Sequence, residues 1–215
     1  MSVAERKERE KEQRRNDIIV AAEQLFFSRQ FDDVSMDDIA NAVDLSRATL
    51  YLYFKDKESL YFAVLLRGIR IMSEMFKKGA ASEDTGLGKI TAIGSIFIKF
   101  STEYTDYHRL IHYATSQRFE ESNNEYLGEV KAASWELVQI MSESIKKGID
   151  DGTIKKDLDP YETAIFLMNC TESALDLSPE TKKNLENRGI SPMEYIEHSM
   201  KLMGYAILNN NDNQV

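Results

Sequence analysis

Residues Ser46–Lys57 read SRATLYLYFKDK, and the interpretation of the whole chain starts from them. Serine is favoured immediately before a helix because its hydroxyl can accept a hydrogen bond from a backbone N–H group of the first turn. The stretch therefore predicts a short helix that begins after Ser46. Helical spacing divides its side chains between a polar and aromatic side and an apolar side. These are Thr49, Tyr51 and Tyr53 on the first side, and Leu50 and Phe54 on the second.

Two more helices are predicted before this stretch. Asn16–Arg29 has apolar residues at the three- and four-residue spacing of one buried helix face. Ser35 is suited to begin a second, short helix, which ends near Asp44. A turn of three or four residues then leads to the helix after Ser46. Two short helices joined in this way, the second exposing polar groups, are typical of the helix-turn-helix DNA-binding motif.

The second helix of such a motif presents its first residues to base edges, while flanking groups hold phosphates. Arg47 lies in the first turn, where a guanidinium can bond N7 and O6 of a guanine together. Ala48 and Thr49 could contact a thymine methyl group. The candidate DNA-binding residues are Ser35, Ser46, Arg47, Ala48, Thr49, Tyr51, Tyr53 and Lys57.

The order of these residues resembles the DNA-binding domain of the tetracycline-repressor (TetR/AcrR) family. The resemblance covers about 45 residues and rests on Ile18-x-x-Ala21-Ala22-x-x-Leu25-Phe26, Phe31, Ser35-Met36-x-x-Ile39-Ala40 and Leu45-Ser46-x-x-Thr49-Leu50-Tyr51-x-Tyr53-Phe54-x-x-Lys57-x-x-Leu60. It implies DNA contacts at Thr49, Tyr51, Tyr53 and Lys57, with the tyrosine hydroxyls and the lysine near phosphates. The role of Arg47 rests on its position and chemistry.

Three positions depart from the pattern of the family. Gln30 and Asp44 stand where the family usually has glycine, at sites that tend to need a positive φ. Aspartate tolerates the left-handed region better than glutamine does, so both turns are expected to form at a small strain cost. Asp37 stands where the family often has a basic or neutral residue, which puts a backbone contact there in doubt.

Composition favours an all-α protein and excludes several classes. The 215 residues include only three prolines and ten glycines, and 42% are hydrophobic. A single cysteine, Cys170, allows no internal disulfide and no cysteine-cluster metal site. No apolar run reaches the roughly 18–20 residues of a membrane helix, and the charged N-terminus is unlike a signal peptide. We therefore expect a cytoplasmic protein without a membrane or cofactor.

The charge balance limits any basic surface to a small area. The formal net charge is −9, and residues 1–60 hold ten lysines and arginines against thirteen aspartates and glutamates. A general nucleic-acid binder should carry a broad basic surface, whereas a specific one can position itself with a few cations.

Along the whole chain, about nine helices and four segments are predicted. Residues 1–15 alternate acidic and basic side chains without an apolar stripe, so they form a flexible charged arm or a frayed helical extension, and the arm could reach DNA. The helix-turn-helix domain is placed at 16–59, a helical ligand-binding and dimerisation domain at 60–209, and a disordered tail at 210–215. The resemblance implies dimerisation through the last two long helices, at about 160–175 and 192–208.

The resemblance also implies an apolar ligand cavity among helices four to eight. Candidate lining residues are Tyr104, Tyr107, His112, Trp135, Met141, Met168 and Asn169. Each aromatic or methionine at helical spacing could equally be core. His108 and His112 share a helix face at a spacing that can bind metal, but a third ligand is not evident, so no metal site is predicted.

The leading hypothesis is a homodimeric repressor that binds a palindromic operator and is released by an unidentified small-molecule effector. An enzyme on a helical scaffold is the second hypothesis, although the sequence has no supported nucleophile–base pair, phosphate loop or metal set. A helical protein-interaction module, or a corepressor-type regulator that needs its ligand in order to bind, is the third. Alanine at Tyr53 and Lys57 should abolish operator binding under the first and leave partner binding intact under the third.

Overall fold

The computed structural model describes residues 2–114, 119, 122 and 124–209. In this part of the chain there are ten α-helices and no strand, so the predicted all-α class is confirmed. The helices are α1 Val3–Ser28, α2 Met36–Ala42, α3 Arg47–Tyr51, α4 Lys57–Ala81, α5 Gly86–Glu103, α6 Thr105–Ala114, α7 Leu127–Asp150, α8 Pro160–Leu175, α9 Pro179–Glu186 and α10 Pro192–Ile207. None of them is both long enough and apolar enough to cross a membrane.

The helices form two compact units, and their limits differ from the predicted boundary near residue 59. Unit 1 comprises Met1–Arg70 and Thr105–Ala133, and unit 2 comprises Ile71–Tyr104 and Ser134–Val215. Helix α6 belongs to the first unit because its side chains fasten onto α1. The predicted tail at 210–215 lies outside the described residues, as do several residues of the segment after α6.

Unit 1 is built around a cluster of aromatic side chains. The ring of Tyr61, which is fully buried, meets the rings of Phe31 and Phe119 at centroid distances of 5.1 and 5.4 Å. Its hydroxyl donates to the carbonyl oxygen of Leu110 at 2.7 Å. Burial raises the pKa of Tyr61 far above its ordinary value, so the hydroxyl remains a neutral donor that ties α4 to α6.

Helix α6 also holds the C-terminal end of α1. Arg109 donates from Nη2 to the carbonyl oxygens of Phe26 and Phe27, at 2.9 Å each. These carbonyls belong to the last turn of α1, where intrahelical donors are missing. Tyr107 donates to Oε2 of Glu23 at 2.5 Å. The end of α1 is therefore fixed by side chains distant in sequence.

Helix α1 begins at Val3, so residues 3–15 form the helical extension rather than a separate arm. Ser2 caps it, and its hydroxyl accepts from the backbone N–H group of Glu5 at 3.2 Å. Arg15, one of the basic pair at the end of this segment, packs its guanidinium 5.1 Å from the ring centroid of Phe54. It also donates to the hydroxyl of Tyr126 at 2.8 Å. These contacts anchor the extension to unit 1.

Unit 2 contains a close approach of α5 and α7. A Cβ atom added to Gly86 would lie 1.9 Å from the backbone nitrogen of Gly148, so only glycine fits at the start of α5. Asp151 follows α7, and its Oδ2 accepts from the backbone N–H group of Gly86 at 2.9 Å. The end of α7 thus satisfies an otherwise unpaired donor of α5.

The sequence prediction missed α9, a helix without buried residues. Its signals are local ones. Ser178 caps it by accepting from the backbone N–H group of Thr181 at 3.1 Å, and Pro179 occupies the first helical position. A prediction based on apolar periodicity cannot find a helix that has no apolar face.

Candidate nucleic-acid interface

Two serines predicted to contact DNA begin the helices of the motif. Ser35 precedes α2, and its hydroxyl accepts from the backbone N–H group of Asp38 at 3.1 Å. Ser46 precedes α3 and accepts in the same way from Thr49 at 3.1 Å. Each serine therefore stabilises a helix start, and its contact with DNA stays a prediction.

The turn between α2 and α3 contains the positive φ that was expected at Asp44. Its φ is 53°, in the left-handed region, and it has the only positive φ among the described residues other than glycine. The neighbouring Leu45 donates its N–H to the carbonyl oxygen of Ala40 at 2.9 Å, which closes the turn. Gln30 is different. Its φ is −68°, so the predicted strain at this position was wrong, and the chain passes it in extended conformation.

Helix α3 has one side in the core and one side in solvent. Leu50 is fully buried and Phe54, just beyond the helix, is 1% exposed. Arg47, Ala48 and Tyr51 are exposed, whereas Thr49 and Tyr53 are half-buried. The predicted division into a core side and a polar side therefore holds. The exposed side can meet a DNA groove without disturbing the core.

Arg47 is part of a small network of side chains on this exposed side. Its Nη1 lies 3.1 Å from Oδ2 of Asp37, and its Nη2 donates to the hydroxyl of Tyr51 at 3.3 Å. The hydrogen bond to Tyr51 and the charge of Asp37 raise the pKa of Arg47. Asp37 thus engages the guanidinium that was predicted to bind a guanine.

Lys57 is half-buried and is held by contacts within the protein. Its ammonium donates to the carbonyl oxygen of Phe31 at 2.7 Å and lies 4.3 Å from the centroid of the same ring. These contacts connect the start of α4 to the 3₁₀ turn Phe31–Asp33. Lys57 therefore has a structural role, and its role at a phosphate stays a prediction.

Sequence reasoning missed Leu52, which directly follows α3 and is 80% exposed. An apolar side chain this open, beside Tyr51, adds an apolar contact to a face predicted to meet DNA. The signal was available, since residue 52 falls on the same side as Ala48 at helical spacing.

The seven candidate ligand residues are divided between the two units. Tyr107 and His112 belong to unit 1 and the other five to unit 2. Tyr107 bonds Glu23, and Tyr104 stacks on Phe100 with the centroids 5.3 Å apart. Trp135 is 50% exposed and stacks on Tyr161. His112 and Asn169 are exposed, and Met168 is half-buried.

Unit 2 contains a cavity of about 290 Å³, and Met141 is the single member of the predicted set that lines it. The cavity lies among α5, α7, α8 and α10. Its wall is mainly apolar and includes Leu87, Ile90, Met141, Leu167, Met200 and Met203. The part of the chain described here holds no cluster of three or more His, Cys, Asp or Glu side chains arranged to bind a metal.

Helices α2 and α3, joined by the turn at Asp44, form a helix-turn-helix, the arrangement typical of DNA-binding domains. Residues 18–64 match the family model described as bacterial regulatory proteins, tetR family. The predicted resemblance to this family is thereby confirmed over residues 18–64.

Two relatives are similar to part of this chain in sequence. The transcriptional activator FasR of Mycolicibacterium smegmatis is 26% identical over 141 residues, which span 66% of this chain and 59% of FasR. The negative regulator IcaR of the biofilm operon icaADBC in Staphylococcus aureus is 23% identical over 150 residues, which span 70% of this chain and 77% of IcaR. The two relatives act in opposite directions on transcription.

Solved structures with the same fold cover nearly the whole chain. A TetR/AcrR-family regulator from Thermobifida fusca has a TM-score of 0.69 and 23% identity, with 94% of this chain and all of that chain covered. AibR, solved in complex with isovaleryl coenzyme A and operator DNA, has a TM-score of 0.64 and 18% identity, with 89% of this chain and 97% of AibR covered.

Proposed function

We propose that this protein is a homodimeric repressor that binds a palindromic operator and is released by a small-molecule effector. The observation that carries the proposal is the exposed side of α3, which begins after the capping residue Ser46 and leaves Arg47, Tyr51 and the following Leu52 in solvent. In this proposal Arg47 and Ala48 contact base edges, and Tyr51 and Tyr53 contact the DNA backbone.

A second copy of the chain is the partner that best fits the exposed apolar side chains of α8 and α10. Phe166 and Leu202 are each 54% exposed, and Tyr205 is 66% exposed. We call these three residues the α8/α10 face. Large apolar side chains in such a face mark an interaction site, and a face that meets its own copy gives a twofold dimer. A twofold dimer matches a palindromic operator.

The acidic surface favours binding through both halves of the dimer. A chain with a net charge of −9 has little non-specific attraction for phosphates. One half-site then binds weakly, and linking two half-sites raises the overall affinity by about 10²–10⁴-fold. Successive major grooves lie about 34–36 Å apart on one side of DNA. An effector that changes the separation of the two α3 helices would therefore release the operator.

The test is selection of bound DNA from a random pool by the full chain, repeated at several salt concentrations. A palindromic site with half-sites one or two helical turns apart is expected, and the salt dependence counts the phosphates contacted. The variant Arg47→Ala should relax the base preference at one position in each half-site, whereas Glu180→Gln, on α9, should leave the selected site unchanged. Selection of an asymmetric site, or of none, would contradict the proposal.

Effector release is tested separately, with the selected operator and a panel of small molecules. Release by at least one compound is expected. A protein that binds the operator only when a compound is present would instead be a corepressor-type regulator. If it binds with or without every compound, the induction part of the proposal is wrong.

A further inference from the structure

The cavity of unit 2 has apolar walls, but three hydroxyl groups also line it: those of Thr91 and Ser95 on α5, and that of Thr171 on α8. Thr171 is 4% exposed, so its hydroxyl lies at the inner end. Thr91 and Ser95 are exposed and lie at the mouth. A ligand inside this cavity would therefore meet polar groups at both ends.

All three hydroxyls donate their hydrogen to their own helix. Thr171 donates to the carbonyl oxygen of Leu167 at 2.8 Å. Thr91 donates to that of Leu87 at 2.9 Å, and Ser95 to that of Thr91 at 3.0 Å. A hydroxyl has one hydrogen and two lone pairs. Toward the cavity these groups are therefore acceptors, and they favour a ligand that donates a hydrogen bond.

The charges at the mouth do not select a charged ligand. Glu197 and Lys201 both line the cavity from α10, four residues apart, and both are exposed. Their opposite charges largely cancel at the mouth. A charged ligand would give up its hydration for an apolar wall without a net compensating field, so a neutral ligand is favoured.

The methionines allow the cavity to adjust to an occupant. The methyl carbon of Met200 lies over Gly94, where an added Cβ would be 2.4 Å from it. The sulfur atoms of Met200 and Met203 lie 3.9 and 4.0 Å from the hydroxyl of Thr171. Methionine has three rotatable bonds and repacks readily. The volume of about 290 Å³ is at the lower limit of ordinary ligand sites.

We infer that this cavity binds a small, neutral, lipophilic molecule with a hydroxyl group, an aliphatic alcohol being the simplest case, whose hydroxyl donates to Thr171. The inference deepens the proposed function, because such a molecule is then the class of the effector. The α8 and α10 helices that form the cavity also carry the α8/α10 face. A ligand in the cavity would therefore contact the same two helices that form the proposed dimer interface.

Calorimetric titration of the full chain without DNA tests this inference. The probes are 1-octanol, octyl methyl ether and octanoate, which share one chain but differ in head group. The ether accepts hydrogen bonds without donating, and octanoate is charged. We expect 1-octanol to bind about three- to tenfold more tightly than the ether, as one hydrogen bond allows, and octanoate to bind least. Equal binding of alcohol and ether, tighter binding of octanoate, or no binding of 1-octanol would overturn the inference.

Two variants connect the binding to this cavity. Thr171→Val keeps the shape of the side chain but removes its hydroxyl acceptor. The affinity for 1-octanol should therefore fall to that for the ether, and the affinity for the ether should not change. Ser95→Trp, at the exposed mouth, should weaken both. Thr102→Val, on α5 but outside the cavity, is the matched control. Binding that survives in both cavity variants would overturn the assignment.

Operator release distinguishes this inference from the proposed function. If 1-octanol binds in the cavity but leaves the operator complex intact, the ligand site stands and its role as the effector site is wrong. If the operator is released by other compounds while 1-octanol does not bind, induction stands and the inference fails.

Discussion

The guanidinium of Arg47 has partners within the protein, and under the proposed function it would exchange one of them for a guanine of the operator. Asp37 and Tyr51 bind its guanidinium on an exposed surface. Exposed ion pairs contribute little, roughly 0.2–1 kcal/mol, so a guanine can replace Asp37 as the partner. If α3 lies against DNA as proposed, the carboxylate of Asp37 is close to the phosphates and repels them. We therefore expect Asp37 to lower operator affinity and to restrict binding to sites whose base contacts compensate for it.

Asp37→Asn should raise operator affinity about two- to tenfold, because the change removes the competing charge in both halves of a dimer. Fluorescence anisotropy with labelled operator measures this, and the gain should shrink as salt screens the repulsion. Glu180→Gln on α9 makes the same change in net charge elsewhere and should have little effect. A loss of affinity in Asp37→Asn would show instead that Asp37 positions Arg47 for binding.

Glycine substitutions at Asp44 and Gln30 test the backbone conformations of these two residues, which differ in the sign of φ. With φ at 53°, Asp44→Gly should stabilise the fold by about 0.5–1 kcal/mol, since glycine has no Cβ clash in this region. With φ at −68°, Gln30→Gly should destabilise the fold by a similar amount, because glycine relieves no strain here and raises the conformational entropy of the unfolded chain. Urea unfolding of the two variants measures both. The same sign of change in both would contradict the assigned conformations.

At the scale of elements, α5 begins directly against the end of α7, and Asp151 joins them. Hydrogen bonds from the hydroxyl of Thr153 and the backbone N–H group of Gly86 lower the pKa of Asp151 to about 2. Thr153 donates at 2.6 Å and Gly86 at 2.9 Å. The carboxylate form is thus favoured in the folded state, and folding should depend on pH through this group.

The sign of the dependence follows from the lowered pKa. An unfolded aspartate has a pKa of about 3.9, so the stabilisation is complete above that value and is lost as pH falls through about 2. Asp151→Asn should therefore have a lower Tm than the wild type at pH 7. The difference should shrink between about pH 4 and pH 2, as followed by circular dichroism.

Asp150→Asn is the matched control for this pH dependence. Asp150 makes an exposed pair with Lys146, four residues earlier on α7, and such pairs contribute little. Its Tm should follow the wild type across the same range. If the difference for Asp151→Asn persisted unchanged at pH 2, the hydrogen bonds rather than the charge would be responsible.

For the whole molecule, the proposed mechanism depends on the α8/α10 face. The double variant Phe166→Asp with Leu202→Asp places a charge at two positions that are more than half exposed. It should yield a folded monomer whose operator affinity is lower by about 10²–10⁴-fold, because the benefit of joining two half-sites is lost. Sedimentation velocity gives the mass, and anisotropy gives the affinity.

Ile190→Asp is the control for added charge, because Ile190 is an exposed apolar residue between α9 and α10 and outside the α8/α10 face. It should remain a dimer with unchanged operator affinity. A dimer that persists in the double variant would place the interface elsewhere. A monomer that still binds operator tightly would contradict the proposal that tight binding requires two half-sites.

The sequence alone predicted the all-α class, the three-helix order of the first domain, the serine caps and the positive φ of Asp44. These features depend on neighbours within a few residues: helical periodicity, a hydroxyl at the helix start and the conformational tolerance of one residue. The family resemblance had the same local basis, since its residues form one continuous stretch from Ile18 to Leu60.

Which groups distant in sequence meet is visible only in the folded chain. It placed α6 in unit 1 through Arg109 and the carbonyls of α1, and it paired Asp37 with Arg47. It also showed a cavity in unit 2 that is lined by hydroxyl groups of α5 and α8 and, of the predicted ligand residues, by Met141 alone. Periodicity tells which side of a helix is covered but not which helix covers it. Contacts between residues far apart in sequence depend on how the helices pack together.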